Sequence, residues 1–209
     1  MTRRCNEESA VLTLFHAPKS RSGSIVWLLE ELGVPYETKI VNIRRADGSG
    51  ARDAANPHPH AKVPCLQHDG HRVFEIAAIT LYLTDLFPDA KLGPRVGDPK
   101  RGEYLSWLAY RPGVIEPAMM MRRLNVKHVQ GAMGWAEAGE VEETLNSALS
   151  GRKYLLGDEF SAADISIGGT INFMMMFKLM SETPVFKDYA ARITSRPAFK
   201  RMMERDVTQ

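Results

Sequence analysis

Three short stretches gather residues able to do chemistry. In FHAPKSRSGSIVWLLEELG, residues 15–33, Ser20, Ser22 and Ser24 open an apolar run at helical spacing, with Lys19 and Arg21 among them. Hydroxyl donors, positive charge and a helix N-terminus can together stabilise an anion, because the first backbone N–H groups of a helix lack intrahelical acceptors. Ser22 stands at the expected N-cap, and plain capping or solvation is the alternative use of these serines. In HAKVPCLQ, residues 60–67, Pro64 begins a strand pattern although proline has no N–H for a ladder. A cis Val63–Pro64 bond would bend the chain there and turn the N–H and C=O of Val63 outward, ready to pair with an extended peptide. The plainer alternative is an edge strand that starts at Pro64. In the third stretch, Glu75-Ile76 opens a helix pattern. A carboxylate there favours the helix dipole by about 0.3–1 kcal/mol, and the free N–H groups can receive an anion.

Other reactive residue types fall in less specific patterns. His16 at a strand end could orient a substrate or a water, or serve the structure. His58 and His60 would need a third ligand to hold zinc and read as part of a solvated loop. Cys5 and Cys65 are far apart and without a partner motif, which speaks against a disulfide framework or a cysteine-rich zinc site, and Cys65 should point into the core. Met119–Met121 and Met174–Met176 suit either a pliable pocket or a helical core.

The elements that must position these residues follow from hydrophobic periodicity. VLTLF (11–15) predicts a buried strand, and Ile25, Leu28, Leu29 and Leu32 predict a helix that Gly33 ends. YETKIV (36–41) predicts a second strand, and 44–59 is irregular. VPCLQ and HRVF flank Asp69-Gly70, a hairpin signal, and Ala78 to Leu86 predict a helix of about three turns. The segment PDAKLGPRVGDP has the composition of a linker. Beyond it the pattern is helical throughout: 100–124, bent near Arg111-Pro112-Gly113 and Pro117; 133–149; 161–179; and 184 to 205. The expected organisation is an extension (1–10), an α/β domain (11–87), a linker (88–99) and an all-α domain (100–209).

Bulk properties set the class. A chain of 209 residues with 44% apolar content can bury a substantial core. Its 27 basic and 25 acidic residues nearly cancel, leaving no broad electrostatic footprint for nucleic acid. Apolar runs are too short to span a bilayer, and MTRRCNEESAV lacks the apolar core of an export signal, so the expectation is a cytoplasmic protein with no membrane partner.

The βαβ then ββα order, with ANPHPHAKVPCL entering the hairpin and FEIAAITLYL leaving it, resembles the thioredoxin-like half of the glutathione S-transferases. GDEFSAADISI resembles that family's folding signature, in which Ser161 caps a helix and Asp164 reaches back toward the cap. PVFKDYAARITSRPAFKR is similar to its closing helix and Arg-Pro-Ala-Phe ending. The resemblance spans nearly the whole chain and is of the cytosolic type with a serine-type first loop. It implies a thioredoxin-like N-terminal domain, then an all-α C-terminal helical bundle.

The resemblance also implies glutathione as co-substrate, with no metal. Val63, beside Pro64, would pair with the cysteinyl backbone. Glu75 would take the γ-glutamyl ammonium and the N–H of Ile76 its α-carboxylate. The family's turn usually reads Glu-Ser or Gln-Ser. Ile76 therefore lacks a hydrogen bond to a charged group worth about 1.5–3 kcal/mol, roughly ten- to a hundredfold in affinity. Ser22, or next Ser20, would stabilise the thiolate with help from Lys19 and Arg21. A free thiol has a pKa of about 8.5, and lowering it by two units takes about 2.7 kcal/mol, more than one hydroxyl supplies. Phe15 and His16 stand where some classes carry a tyrosine, and the loop has no cysteine. His16, Tyr110, Arg111 and Met119 are the candidate contacts for the second substrate. The activity implied is conjugation of the glutathione sulfur to a small apolar electrophile by a homodimer. The alternatives are glutathione-dependent peroxidase or reductase chemistry, and a non-catalytic binding or regulatory module.

Overall fold

The strand β1 (Leu12–His16) is buried along its whole length, the polar Thr13 and His16 as well as the apolar Leu12, Leu14 and Phe15. It is flanked on both sides in a four-stranded sheet of order β2-β1-β3-β4. β2 (Glu37–Ile40) runs parallel to β1, whereas β3 (Cys65–His68) is antiparallel to it and forms a hairpin with β4 (His71–Phe74). A parallel pair needs a crossover, and α1 (Gly23–Leu32) supplies it. Gly33 ends α1 at φ 67°, with its N–H donating to Leu29 O at 3.0 Å. The hairpin turns on Asp69 and Gly70 at φ 48° and 80°, the positive values that this tight turn requires. α2 (Ile76–Leu86) completes the thioredoxin-like half. This computed structural model describes residues 11–208; the expected extension 1–10, with Cys5, lies outside the described residues.

The second half is helical. α3 (Arg101–Tyr110) passes through a π-helical turn, Arg111–Ile115, into α4 (Glu116–Arg123). Pro112 has no N–H to give and its ring crowds the preceding turn, so the wide turn is the physical form of the expected bend. α5 (Ala138–Leu149) starts later than the expected residue 133, because the Gly-rich stretch before it stays irregular and Glu137 caps the helix. α6 (Ala162–Met176) stops short of 179. The expected helix from 184 to 205 is two, α7 (Pro184–Thr194) and α8 (Pro197–Thr208), since Pro197 disfavours a helical residue before it.

Two features of α6 hold the helical half together, and α8 docks it on the α/β half. At the start of α6 the buried Asp164 carboxylate accepts from the N–H groups of Leu155 (2.9 Å) and Ser161 (2.8 Å) and from Tyr189 Oη (2.6 Å). Gly168 lies where α6 meets α7; a Cβ there would stand 2.3 Å from Ile193 Cδ1 and 2.9 Å from Tyr189 Cε1, so these buried side chains would have to shift to admit one. At the chain's end, α8 packs along α1. Phe199 meets Trp27 edge-on at 4.9 Å, Arg196 grips Glu31 through two nitrogens at 2.6 and 2.8 Å, and Arg201 and Arg205 both pair with Glu30. This docking carries Asp206 beneath the loop that follows β1.

Candidate active site

A cleft of about 650 Å³ opens where the loops of the α/β half face the turn between α3 and α4. That volume lies within the usual range of a small-molecule site, about 300–1,000 Å³. Its floor begins at Val63–Pro64, a cis peptide bond. Pro64 is buried just before β3, where the first paired residue is Cys65 opposite Phe15 and Phe74. Among the described residues the main-chain N–H and C=O of Val63 have no partner, and Val63 lines the cleft.

Beside it, Glu75 caps α2 with φ 70° and ψ 128°, a region that costs a non-glycine residue about 1–3 kcal/mol. The side chain is exposed at the cleft and has no ion-pair partner among the described residues. Ile76 opens the helix, and its N–H, like the others of the first turn, is left without an intrahelical acceptor. The residues 56–62 form a hydrogen-bonded loop next to this pair. Asn56 Nδ2 donates to Lys62 O, His58 N to Asn56 Oδ1, and His60 N to His58 Nδ1 at 3.1 Å. His58 is buried with its ring edge-on to Phe74 at 5.4 Å, so the expected solvated histidine is a packing element. Burial holds its pKa below the ordinary histidine value, against the pull of the nearby Glu75 carboxylate.

The serine loop divides into a cleft side and a buried side. Ser20 and Arg21 line the cleft. Ser22 does not: it is fully buried, its side chain makes no cap hydrogen bond, and its Oγ lies 2.7 Å from His16 Nδ1 and 2.7 Å from Ser20 Oγ. The first-choice hydroxyl is therefore enclosed, and Ser20 is the one that faces the cleft. His16 is equally removed from the cleft, at 1% exposure, with Nε2 at 3.1 Å from Asp206 Oδ1. That pair has ion-pair distance without the alignment of a hydrogen bond. Lys19 is exposed but outside the cleft; its backbone N–H donates to Asp206 Oδ2 at 3.0 Å. Burial alone would raise the Asp206 carboxyl, yet His16 and Lys19 outweigh it and hold the group below the usual aspartate range.

The wall from the helical half corrects other expectations. Arg111 is at the cleft as expected, buried, with Nε 3.2 Å from Glu116 Oε1, while Arg21 holds Glu116 Oε2 at 3.0 Å. Burial pushes the Glu116 carboxyl up, but these two cations together keep it below its ordinary range. Tyr110 instead packs on Trp107 with ring centroids 5.5 Å apart, outside the cleft, because it lies at the end of α3 before the π turn swings the chain. Met119 is a core residue at 1% exposure, on the inward face of α4. Cys65 is buried too, and burial pushes its thiol up, so it is no nucleophile.

Several contributors carried no local signal. Arg44, Arg52 and Lys62 bring the cleft lining to five cations, with Arg21 and Arg111, against Glu75 and Glu116. Asp206 lies 187 positions from its contact at Lys19, and only the return of α8 to α1 unites them. Among the described residues no cluster of three or more His, Cys, Asp or Glu could hold a metal ion.

Comparison with known proteins meets this geometry from outside. Residues 10–85 match the glutathione S-transferase N-terminal domain and residues 136–197 its C-terminal domain. A glutathione S-transferase of Hyoscyamus muticus is 25% identical over 194 residues, covering 86% of this chain and 91% of that one. A probable maleylacetoacetate isomerase 2 of Drosophila melanogaster is 27% identical over 175 residues, covering 80% and 76%. A sphingomonad glutathione S-transferase complexed with glutathione superposes with a TM-score of 0.75 at 24% identity, covering 94% and 100% of the two chains. With both domains matched in order across most of its length, the chain belongs to the glutathione S-transferase family.

Proposed function

We propose that the cleft binds glutathione and that the protein transfers its sulfur to a small electrophile with an apolar body. The observation that carries this reading is the unpartnered main chain of Val63 beside an unpaired carboxylate at the start of a helix. A tripeptide with a free amine, two carboxylates and an extended cysteinyl unit suits that set. Val63 would pair with the cysteinyl backbone as a short added strand. Glu75 would take the γ-glutamyl ammonium and the N–H of Ile76 its α-carboxylate, aided by the positive end of α2. Lys62 and Arg44, cleft cations without an ion-pair partner among the described residues, are placed to take the glycyl carboxylate. Ser20 would lie nearest the sulfur. Ile43, Pro112 and the Arg111–Glu116 pair would face the acceptor, Arg111 being the one of the four expected contacts, His16, Tyr110, Arg111 and Met119, that lines the cleft. As in the expectation from sequence, the working unit would be a homodimer.

A second reading, a glutathione-binding module without turnover, is favoured by one feature, the missing hydroxyl at Ile76. Retention on immobilised glutathione with release by the free tripeptide, followed by a screen of model electrophiles, separates the two. Binding with turnover supports the transferase. Binding without turnover supports the module, and failure to bind removes both. Ser20→Ala should keep the fold and glutathione binding and lose most turnover; unchanged turnover would remove Ser20 from the reaction.

A further inference from the structure

We infer that Asp206, His16 and Ser22 form a buried proton path ending at Ser20, so that a thiol bound in the cleft can ionise while its proton stays inside the protein. This inference rests on the glutathione reading above.

Buried polar side chains cost stability unless partnered, and this chain keeps two, His16 and Ser22, in a line that leads from the 13% exposed Asp206 to its cleft. His16 and Ser22 are 1% and 0% exposed, and neither lines the cleft. The line runs from Asp206 Oδ1 to His16 Nε2 (3.1 Å), from Nδ1 to Ser22 Oγ (2.7 Å), and from there to Ser20 Oγ (2.7 Å). With Nε2 at ion-pair distance from a carboxylate, though not aligned for a hydrogen bond, we place the ring's proton on Nε2 and leave Nδ1 to accept from the Ser22 hydroxyl. Ser22 Oγ then accepts from Ala17 N–H (3.3 Å), and the Ser20 hydroxyl donates inward, to Ser22 Oγ or to Ala17 O at 2.6 Å. Ser22 N–H donates to Ser20 Oγ at 3.2 Å. Turned this way, Ser20 offers the cleft a lone pair and no proton. It cannot steady a thiolate in that state, but it can receive the proton of a thiol.

The transfer balances. The S–H bond and the O–H bonds of Ser20 and Ser22 break. A new O–H forms on each serine, and an N–H forms on His16 Nδ1. Both serines end neutral with their hydroxyls reversed, so that Ser20 now donates to the sulfur. The imidazolium faces Asp206. Among the described residues Asp206 on α8 is the charged group paired with the ring, and Lys19 on the loop bears on Asp206. On the β2 side the neighbours are Ile40, paired with His16, and Val41, whose N–H donates to His16 O. Ser20 is the group that meets the substrate; Asp206, His16 and Ser22 are positioning residues acting through it.

The test is nitrogen NMR of the histidine-labelled full chain, with the His16 resonance assigned through His16→Gln, together with the ultraviolet thiolate band. The parent is measured alone, with glutathione and with S-methylglutathione, which has no thiol proton. His16 should carry one proton alone and with S-methylglutathione, and two once glutathione is bound and the thiolate band is present. In Asp206→Asn, a milder change at a helix end, the thiolate band should need about one pH unit more to develop, a tenfold loss of thiolate at neutral pH, while S-methylglutathione binds as in the parent. A thiolate band with His16 still singly protonated, a bound thiol that never ionises, or an unshifted band in Asp206→Asn overturns the path alone. Absence of S-methylglutathione binding to the parent overturns the glutathione reading, and the path with it.

Discussion

The starts of α6 and α2 use the same chemistry, an acidic side chain at a helix N-terminus, to opposite ends. At α6, Asp164 is fully buried and takes four donors from three separate segments, two of them backbone N–H groups. At α2, Glu75 is exposed, held at φ 70°, and has no ion-pair partner among the described residues. One carboxylate closes the fold on itself, and the other leaves its hydrogen-bonding capacity open to the cleft. The lesson is general: satisfied buried polar groups specify structure, whereas strained or unsatisfied ones at a concave surface point to a ligand.

Substitutions should separate these two uses. Asp164→Ala takes the acceptor from four donors, the N–H groups of Leu155 and Ser161 and the hydroxyls of Ser161 and Tyr189, each costing about 1–3 kcal/mol if left unmet, and should lower stability by at least about 3 kcal/mol in urea denaturation. A loss below about 1 kcal/mol would mean that the α6 start is not a structural lock. Glu75→Ala should do the reverse. It should weaken glutathione binding roughly ten- to a hundredfold by calorimetry while stability stays within about 0.5 kcal/mol. If it unfolds the chain instead, the contrast between the two carboxylates is lost.

Ile76→Ser restores a hydroxyl beside the free N–H groups of α2 and should tighten glutathione binding by up to about tenfold without altering stability. No gain would count against the proposed seat of the γ-glutamyl end. The smallest effect concerns Glu116. Arg111 and Arg21 depress its pKa in the folded protein, so the unfolded chain binds more protons as acid is added. The stability from this pair is complete above the ordinary glutamate value of about 4.3 and declines as pH falls through the lower folded value. Glu116→Gln should abolish that part of the acid slope in denaturation series across pH; an unchanged slope would deny the pairing.

Local signals made most of the fold legible. Apolar periodicity located β1 and α1, Asp69-Gly70 set the hairpin, and Pro112 marked a bend that is a π turn, whereas the break at Pro197 was missed and divides one expected helix into two. The cleft was legible where a single residue forces the backbone, as Pro64 does. It was illegible where burial decides a side chain's role. Ser20 and Ser22 are two residues apart and alike in sequence, yet one faces the cleft and the other is sealed against His16 by a helix from the far end of the chain. No spacing rule announces Asp206, because its place depends on the Arg196–Glu31 and Arg201–Glu30 pairs that seat α8 on α1.

The central claim is that Val63 keeps its main chain free to hold a tripeptide. A crystal structure of the protein with glutathione tests it directly. The account predicts the cysteinyl unit lying antiparallel to Val63 with both of its main-chain groups hydrogen-bonded to the ligand, and the γ-glutamyl end at Glu75 and Ile76. Glutathione bound elsewhere, or a Val63 amide occupied by the protein's own chain, would contradict it.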